Sequence, residues 1–176
     1  MRTEDLKPGT VLVTRSEGFA AWWIRFGSAI RNKPNLGNHV AVVHHRDAEG
    51  TLWAIEGKPG GVGWVDAKGY LDSKWTHSNA DQPLTEEQRY LIAVAMEKML
   101  GTAYDWESIV ADAFTNLGMR LPGWDSKWKH DEVAGQVVCS SAAAYAYGRS
   151  KAKHPPGDRG CQPSDWTEWI LTRGWM

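Results

Sequence analysis

Residues 136–145 read Gln-Val-Val-Cys-Ser-Ser-Ala-Ala-Ala-Tyr, and this run predicts a helix that begins at or near Cys139. The β-branched residues favour an extended approach, whereas the alanines behind the cysteine have the highest helix propensity. A thiol in the first turn of a helix lies near unpaired backbone N–H groups and the positive end of the helix dipole, which both stabilise a thiolate. Cys139 is therefore a candidate nucleophile. A free cysteine can equally be a small buried apolar residue, so the run alone leaves both interpretations open.

Length and composition indicate one folded domain, which we expect to span residues 1–176. The formal net charge is −1 with acidic and basic residues interspersed, which argues against a nucleic-acid partner. No apolar run is long enough to cross a bilayer. The charged start of the chain, residues 1–9, lacks the apolar core of a signal peptide, so we expect the protein to be cytoplasmic as synthesised. Two cysteines could form one disulfide, but a reducing compartment is the simpler interpretation.

The order of predicted elements is that of an α+β fold, a small antiparallel sheet with helices packed on it. Apolar runs between turn residues predict strands at 10–14, 39–43, 52–56 and 62–65, with a further extended segment at 74–77. Helical periodicity and capping signals predict helices that begin at Ser16 or Glu17, at Thr85, at Trp106, near Cys139 and at Ser164 or Asp165.

A cysteine nucleophile needs a base, and the base needs a group that orients it. Of the six histidines, His39 is the best candidate because it opens a strand directly after Gly37 and Asn38, and a rigid strand is a good mount for a base. A histidine whose hydrogen bonds are satisfied in the core is the competing interpretation.

The hairpin that follows His39 places an acid beside it. If residues 47–50 form a four-residue loop, Arg46 pairs with Thr51 and His39 lies opposite Lys58. Glu56 is then the diagonal neighbour of His39 on the same face, about 7–8 Å away and within reach of its side chain. Glu56 could hold the imidazole in one tautomer, or it could be an ordinary exposed carboxylate.

Several short motifs resemble one family, the circularly permuted branch of the NlpC-type papain-like superfamily, close to the YiiX-like and lecithin-retinol-acyltransferase-related proteins. In that branch the histidine strand precedes the cysteine helix. The motifs are Lys7-Pro8-Gly9-Thr10-Val11-Leu12-Val13-Thr14, Asn38-His39-Val40-Ala41-Val42-Val43, Ala54-Ile55-Glu56-Gly57, Gly101-Thr102-Ala103-Tyr104-Asp105-Trp106 and Val137-Val138-Cys139-Ser140-Ser141.

The resemblance implies a permuted papain-like fold, with a small antiparallel sheet or partial barrel against helices and the catalytic cysteine at a helix N-terminus. It implies that Cys139 is the nucleophile, His39 the general base and Glu56 the residue that orients His39. Tyr104 matches a tyrosine whose hydroxyl helps the cysteine N–H to hold an oxyanion, although residues 107–135 separate it from the cysteine motif here. The acyltransferase branch has a second histidine where this chain has Glu56, and that difference favours a hydrolase.

Three functions are therefore considered. The first is a thiol hydrolase that cleaves amide bonds in peptides or peptidoglycan-type substrates through an acyl-enzyme. The second is a thioesterase or acyltransferase that uses lipid or acyl donors. The third is a non-catalytic structural or binding module, for instance in a phage particle; a wall hydrolase without a signal peptide would act from a virion or after release at the cell wall.

No cofactor and no metal are expected, because combinations such as His44, His45 or His77 with Cys161 lack the spacing of known metal ligands. Cys161 has no base near it in the sequence and is predicted to be non-catalytic. Trp124 and Trp128, in a loop or lid at 121–135, are the tryptophans expected to touch substrate.

Overall fold

The computed structural model describes residues 3–15, 37–105, 136–155 and 161–175. Within these ranges the chain forms, in order, a short 3-10 helix (Thr3–Asp5), β1 (Val11–Thr14), β2 (His39–Arg46), β3 (Leu52–Lys58), β4 (Gly61–Asp66), α1 (Lys68–Leu71), β5 (His77–Ser78), α2 (Glu86–Glu97), β6 (Ala103–Tyr104), β7 (Gln136–Val137), α3 (Cys139–Arg149) and α4 (Pro163–Thr172).

Five strands form one antiparallel sheet in the order β4-β3-β2-β1-β5, and β6 and β7 form a separate parallel pair. β3 follows β2 and β4 follows β3 through short turns, so β2, β3 and β4 form a meander. The predicted α+β class is confirmed.

Both faces of the sheet are covered, because successive side chains of a strand point to opposite sides. On one face, alternate residues of β1 and β2 pack against the alanine-rich side of α3 and against α2 and α4. The other face is covered by the N-terminal segment and the start of α1. The first cluster includes Val11, Val13, Val40, Val42, Ile55, Ala142, Ala143, Ala146 and Trp166, and the second includes Leu6, Leu12, Ala41, Val43, Leu52, Ala54 and Ala67.

The β2–β3 hairpin differs from the predicted one at its loop and agrees with it near the site. Arg46 pairs with Leu52 rather than with Thr51, so the loop is one residue longer than expected. An irregularity in β2 between Val43 and His45 absorbs that residue. Beyond it Ala41 pairs with Glu56, as the predicted register requires.

The helix predictions are largely confirmed where the structure describes them. Thr85 caps α2 through a reciprocal capping box with Gln88. The last helix begins slightly earlier than expected, since Gln162 caps it and Pro163 is its first residue. The short helix α1 was not expected. The helices predicted to begin at Ser16 or Glu17 and at Trp106 lie outside the described residues. In the ranges given above, no helix is both long and apolar enough to cross a membrane.

Candidate active site

His39 and Glu56 meet because β2 and β3 pair in antiparallel register. Ala41 lies opposite Glu56, and His39 is two residues from Ala41 and therefore on the same face of the sheet. His39 Nε2 is 2.5 Å from Glu56 Oε2. The two side chains are 13% and 5% exposed, so this contact is largely screened from water. The predicted diagonal contact is thus a direct hydrogen bond.

Glu56 is held from three directions. The Tyr70 hydroxyl donates to Oε2, the same oxygen that His39 contacts, and Lys58 Nζ lies 3.2 Å from Oε1. Burial opposes ionisation of Glu56, but the hydrogen bond and charge of His39, with the bonds from Tyr70 and Lys58, lower its pKa to about 2. Glu56 is therefore a carboxylate at neutral pH and can only accept hydrogen bonds there.

Cys139 is the first residue of α3, and it is 3% exposed. Val138 occupies the N-cap position and supplies no capping oxygen. Burial raises the pKa of the Cys139 thiol, but the His39 cation, its hydrogen bond to the sulfur and the N–H groups of Val40 and Ser140 outweigh burial and hold the pKa below its usual value.

Cys139 and Glu56 in turn change the pKa of His39. Burial disfavours the imidazolium, but the charge of the Cys139 thiolate, its hydrogen bond and the Glu56 carboxylate together raise the pKa of His39 to about 10. Because His39 Nε2 faces Glu56, the remaining ring nitrogen, Nδ1, is the one left for Cys139. The lowered pKa of Cys139 and the raised pKa of His39 both favour a thiolate–imidazolium pair.

Gly57 lets the start of α3 approach the sheet. A Cβ at this position would lie 3.2 Å from the backbone N and 3.3 Å from the Cα of Cys139, and 3.5 Å from the ring of Tyr104. Any side chain would push against the backbone that carries the thiol. The close packing of α3 on β3 therefore favours glycine at the position beside Glu56.

Tyr104 lies beside Cys139, even though many residues separate the two in sequence. The parallel pair β6–β7 places Tyr104 opposite Val137, two residues before the cysteine. Burial raises the pKa of Tyr104, and so do the charge of the Cys139 thiolate and a hydrogen bond to it. The hydroxyl of Tyr104 therefore remains protonated and can donate a hydrogen bond.

The other residues singled out in the sequence do not join this group. Cys161 is buried elsewhere in the core, and its carbonyl accepts a 2.5 Å hydrogen bond from Ser140 Oγ. Both cysteines are free thiols. Trp124 and Trp128 lie outside the described residues. The part of the chain that the structure describes contains no group of three or more His, Cys, Asp or Glu residues placed to hold a metal.

Sequence reasoning missed Tyr70. It lies in α1, a helix of only four residues, which is too short to give a periodic signal. Its hydroxyl contacts Glu56 across 14 positions of sequence, a separation that no local pattern encodes. The only local signal is a single aromatic residue within a stretch, 66–74, that is otherwise mostly small or polar.

Comparison of the sequence with protein-family models gave no match, and comparison with curated proteins gave no significant match.

Proposed function

We propose that the protein is a thiol hydrolase that cleaves amide bonds, with Cys139 as nucleophile and His39 as general acid and base. The observation that carries the proposal is the arrangement Cys139–His39–Glu56, in which the imidazole hydrogen-bonds a helix-terminal sulfur on one side and a buried carboxylate on the other. A base held by a third group beside its nucleophile is the general signature of covalent catalysis.

In the proposed reaction the Cys139 thiolate attacks the amide carbonyl and a C–S bond forms. The negative charge moves to the carbonyl oxygen, where the Tyr104 hydroxyl and the backbone N–H of Cys139 would donate hydrogen bonds. His39 then gives its proton to the leaving nitrogen as the C–N bond breaks. Water, deprotonated by His39, attacks the thioester; the C–S bond breaks, the carboxylic acid leaves and the thiolate–imidazolium pair is restored.

Glu56 and Tyr70 take no part in bond making. Glu56 accepts a hydrogen bond from the Nε2–H of His39 and so directs Nδ1 at the sulfur, and Tyr70 and Lys58 hold Glu56 in place. We further propose the permuted papain-like architecture, because the histidine strand β2 precedes the cysteine helix α3 and the two meet at one end of the sheet. Peptides or peptidoglycan-type peptides are the proposed substrates, and this choice rests on the family resemblance.

The test is an amide-cleavage assay on muropeptides and short peptides with the wild-type protein and Cys139→Ala. Turnover that the substitution abolishes is the expected result. Turnover of acyl thioesters or lipid esters, with peptides inert, would replace the amide proposal with the thioesterase or acyltransferase. If Cys139 forms no acyl-enzyme with peptides, acyl thioesters or lipid esters, the binding-module interpretation would replace both enzyme proposals.

A further inference from the structure

Arg15 and Trp75 lie at the end of the sheet where His39 also lies. Thr14 pairs with His39 on one side, and on the other side Thr76 Oγ1 donates to Thr14 Oγ1 at 3.1 Å. Arg15 and Trp75 are the next residues outward on these two neighbouring segments. Arg15 therefore lies about one strand spacing and Trp75 about two strand spacings from His39, so both lie within roughly 10 Å of it.

Arg15 also lies on the face of the sheet that carries Cys139. Val13 packs in the core cluster that contains Cys139, and Val13 pairs with His77. Arg15 is two residues beyond Val13, so strand alternation continued one residue past the end of β1 puts it on this face. Trp75 lies in the turn before β5 and contacts Arg15, because Arg15 Cζ lies 5.2 Å from the centre of the Trp75 ring.

Two cations flank this tryptophan. Lys74 Nζ lies 5.3 Å from the Trp75 ring centre, and the Trp75 side chain is 36% exposed. Neither Arg15 nor Lys74 has a carboxylate ion-pair partner among the described residues. The carboxylate that is close in sequence, Asp72, is solvent-exposed.

None of the other described charges of the site forms an ion pair with these two cations. Lys58 and the His39 imidazolium balance Glu56 and the Cys139 thiolate. The charge of Asp105 acts on Tyr104, which precedes it, so this carboxylate belongs to the end of β6 rather than to β1 or β5. Among the described residues, the end of β1 thus carries two cations that no ion pair with a carboxylate neutralises.

We propose that Arg15, Lys74 and Trp75 form an anion subsite that binds a carboxylate of the substrate, within about 10 Å of the bond that is cleaved. This inference rests on the proposed function. An arginine presents paired donors that match a carboxylate, and the indole face supports the apolar part of the residue that bears it. The substrate class is then a peptide with an acidic side chain or a free carboxyl end two or three residues from the scissile amide.

The experiment uses two alkylating probes that differ by one charge, iodoacetate and iodoacetamide, on the protein with Cys161→Ser so that one thiol reports. At about 10 mM ionic strength, two cations roughly 10 Å from the thiol should favour the anionic probe about threefold. The rate ratio of iodoacetate to iodoacetamide at Cys139 should fall by that factor in Arg15→Gln/Lys74→Gln. It should fall similarly for the parent protein in about 1 M salt, where charges are screened beyond about 3 Å.

Lys7→Gln is the matched control, because Lys7 is an exposed cation at the opposite end of β1 and its loss should leave the ratio unchanged. An unchanged ratio in the double variant would overturn the anion subsite and leave the hydrolase proposal intact. A large loss of the iodoacetamide rate in that variant would also overturn it, since the two cations would then act on the thiol itself. A parent protein that reacts with neither probe would refute the nucleophile, and the anion subsite with it.

Discussion

The Nε2 atom of His39 and the Oε2 atom of Glu56 are 2.5 Å apart, and the pairing of two strands sets that distance. Ala41, two residues after His39, pairs with Glu56 across the two strands. The side chains of His39 and Glu56 are therefore both positioned by strands and not by a loop. Tyr70 and Lys58 bind the same carboxylate and restrict its rotation. Because a base is effective only in the correct orientation and tautomer, this contact is the first to test.

Glu56→Gln keeps the shape of the side chain and removes its charge. Loss of the carboxylate should lower the pKa of His39 and reduce kcat by about 10- to 100-fold, because the imidazole is no longer held in one tautomer. The pKa can be followed by NMR titration of the His39 ring. Glu97→Gln is the matched control: its carboxylate lies 3.8 Å from a different histidine, His44, and the change should alter neither quantity. Equal activity of the two variants would contradict an orienting role for Glu56.

His39→Ala should raise the pKa of the Cys139 thiol, because it removes the cation and the hydrogen bond that stabilise the thiolate. The wild-type protein should react with iodoacetamide at pH 6, and the variant only at alkaline pH. Cys161 is as buried as Cys139, so both proteins should carry Cys161→Ser. His45→Ala, at an exposed position on the same strand, should leave the pH profile unchanged. A profile indifferent to His39 would mean that Cys139 is an ordinary core thiol.

The sequence predicts this site as far as local patterns reach. Val137, Val138 and the alanine run place Cys139 at the start of a helix, and the hairpin alternation puts Glu56 on the face of His39. The assumed loop length was wrong, but the irregularity after Val43 restores the register that matters. The irregularity in β2 compensates for the extra residue in the loop. His39 and Glu56 therefore lie on the same face as predicted, although the predicted loop length was wrong.

Two features of the site were beyond such reasoning. The contact of Tyr70 with Glu56 depends on how α1 folds back over the sheet, which no periodicity encodes. The position of Tyr104 was expected only from the family resemblance, and the pairing of β6 with β7 that produces it joins segments separated by residues 105–135. Long-range pairing of two-residue strands has almost no sequence signal.

Tyr70→Phe removes one of the donors to Glu56. The pKa of Glu56 should rise, since a bond to its charged form is lost, and the free energy of unfolding should fall by about 1 kcal/mol. We expect a loss of kcat of up to about tenfold with KM little changed, because Tyr70 positions the base indirectly. Tyr90→Phe, at a position 67% exposed on α2, is the control and should be neutral. If kcat and the Glu56 pKa both stay at wild-type values, Tyr70 is not a positioning residue.

The lowered pKa of Glu56 also makes a prediction about acid stability. A carboxyl whose pKa falls from 4.5 to about 2 on folding stabilises the native state above pH 4.5, and this contribution is lost as the pH falls toward 2. Between pH 5 and pH 2 the wild type should therefore lose about 1–3 kcal/mol more than Glu56→Gln, as measured by urea unfolding. If the free energies of unfolding of the two proteins fall in parallel with pH, the partners of Glu56 do not lower its pKa. The alkaline side is less informative, because the raised pKa of His39 and the lowered pKa of Cys139 act there with opposite signs.

Gly57→Ala tests the close approach of α3 to the sheet. The added Cβ would lie 3.2 Å from the N and 3.3 Å from the Cα of Cys139, so the backbone that carries the thiol must move by a few tenths of an ångström. Catalysis is sensitive to shifts of this size, and we expect a loss of about tenfold or more in kcat/KM while the protein remains folded. Gly63, on the adjacent strand β4, pairs with Glu56 of β3, and a Cβ at Gly63 would have nothing within 4 Å. Gly63→Ala makes the same substitution without the close contact and is therefore the control. Circular dichroism would verify the fold of both variants. If Gly57→Ala and Gly63→Ala cleave substrate equally well, the position of the Cys139 backbone is not limiting, and the donors proposed for the oxyanion would have to be sought elsewhere.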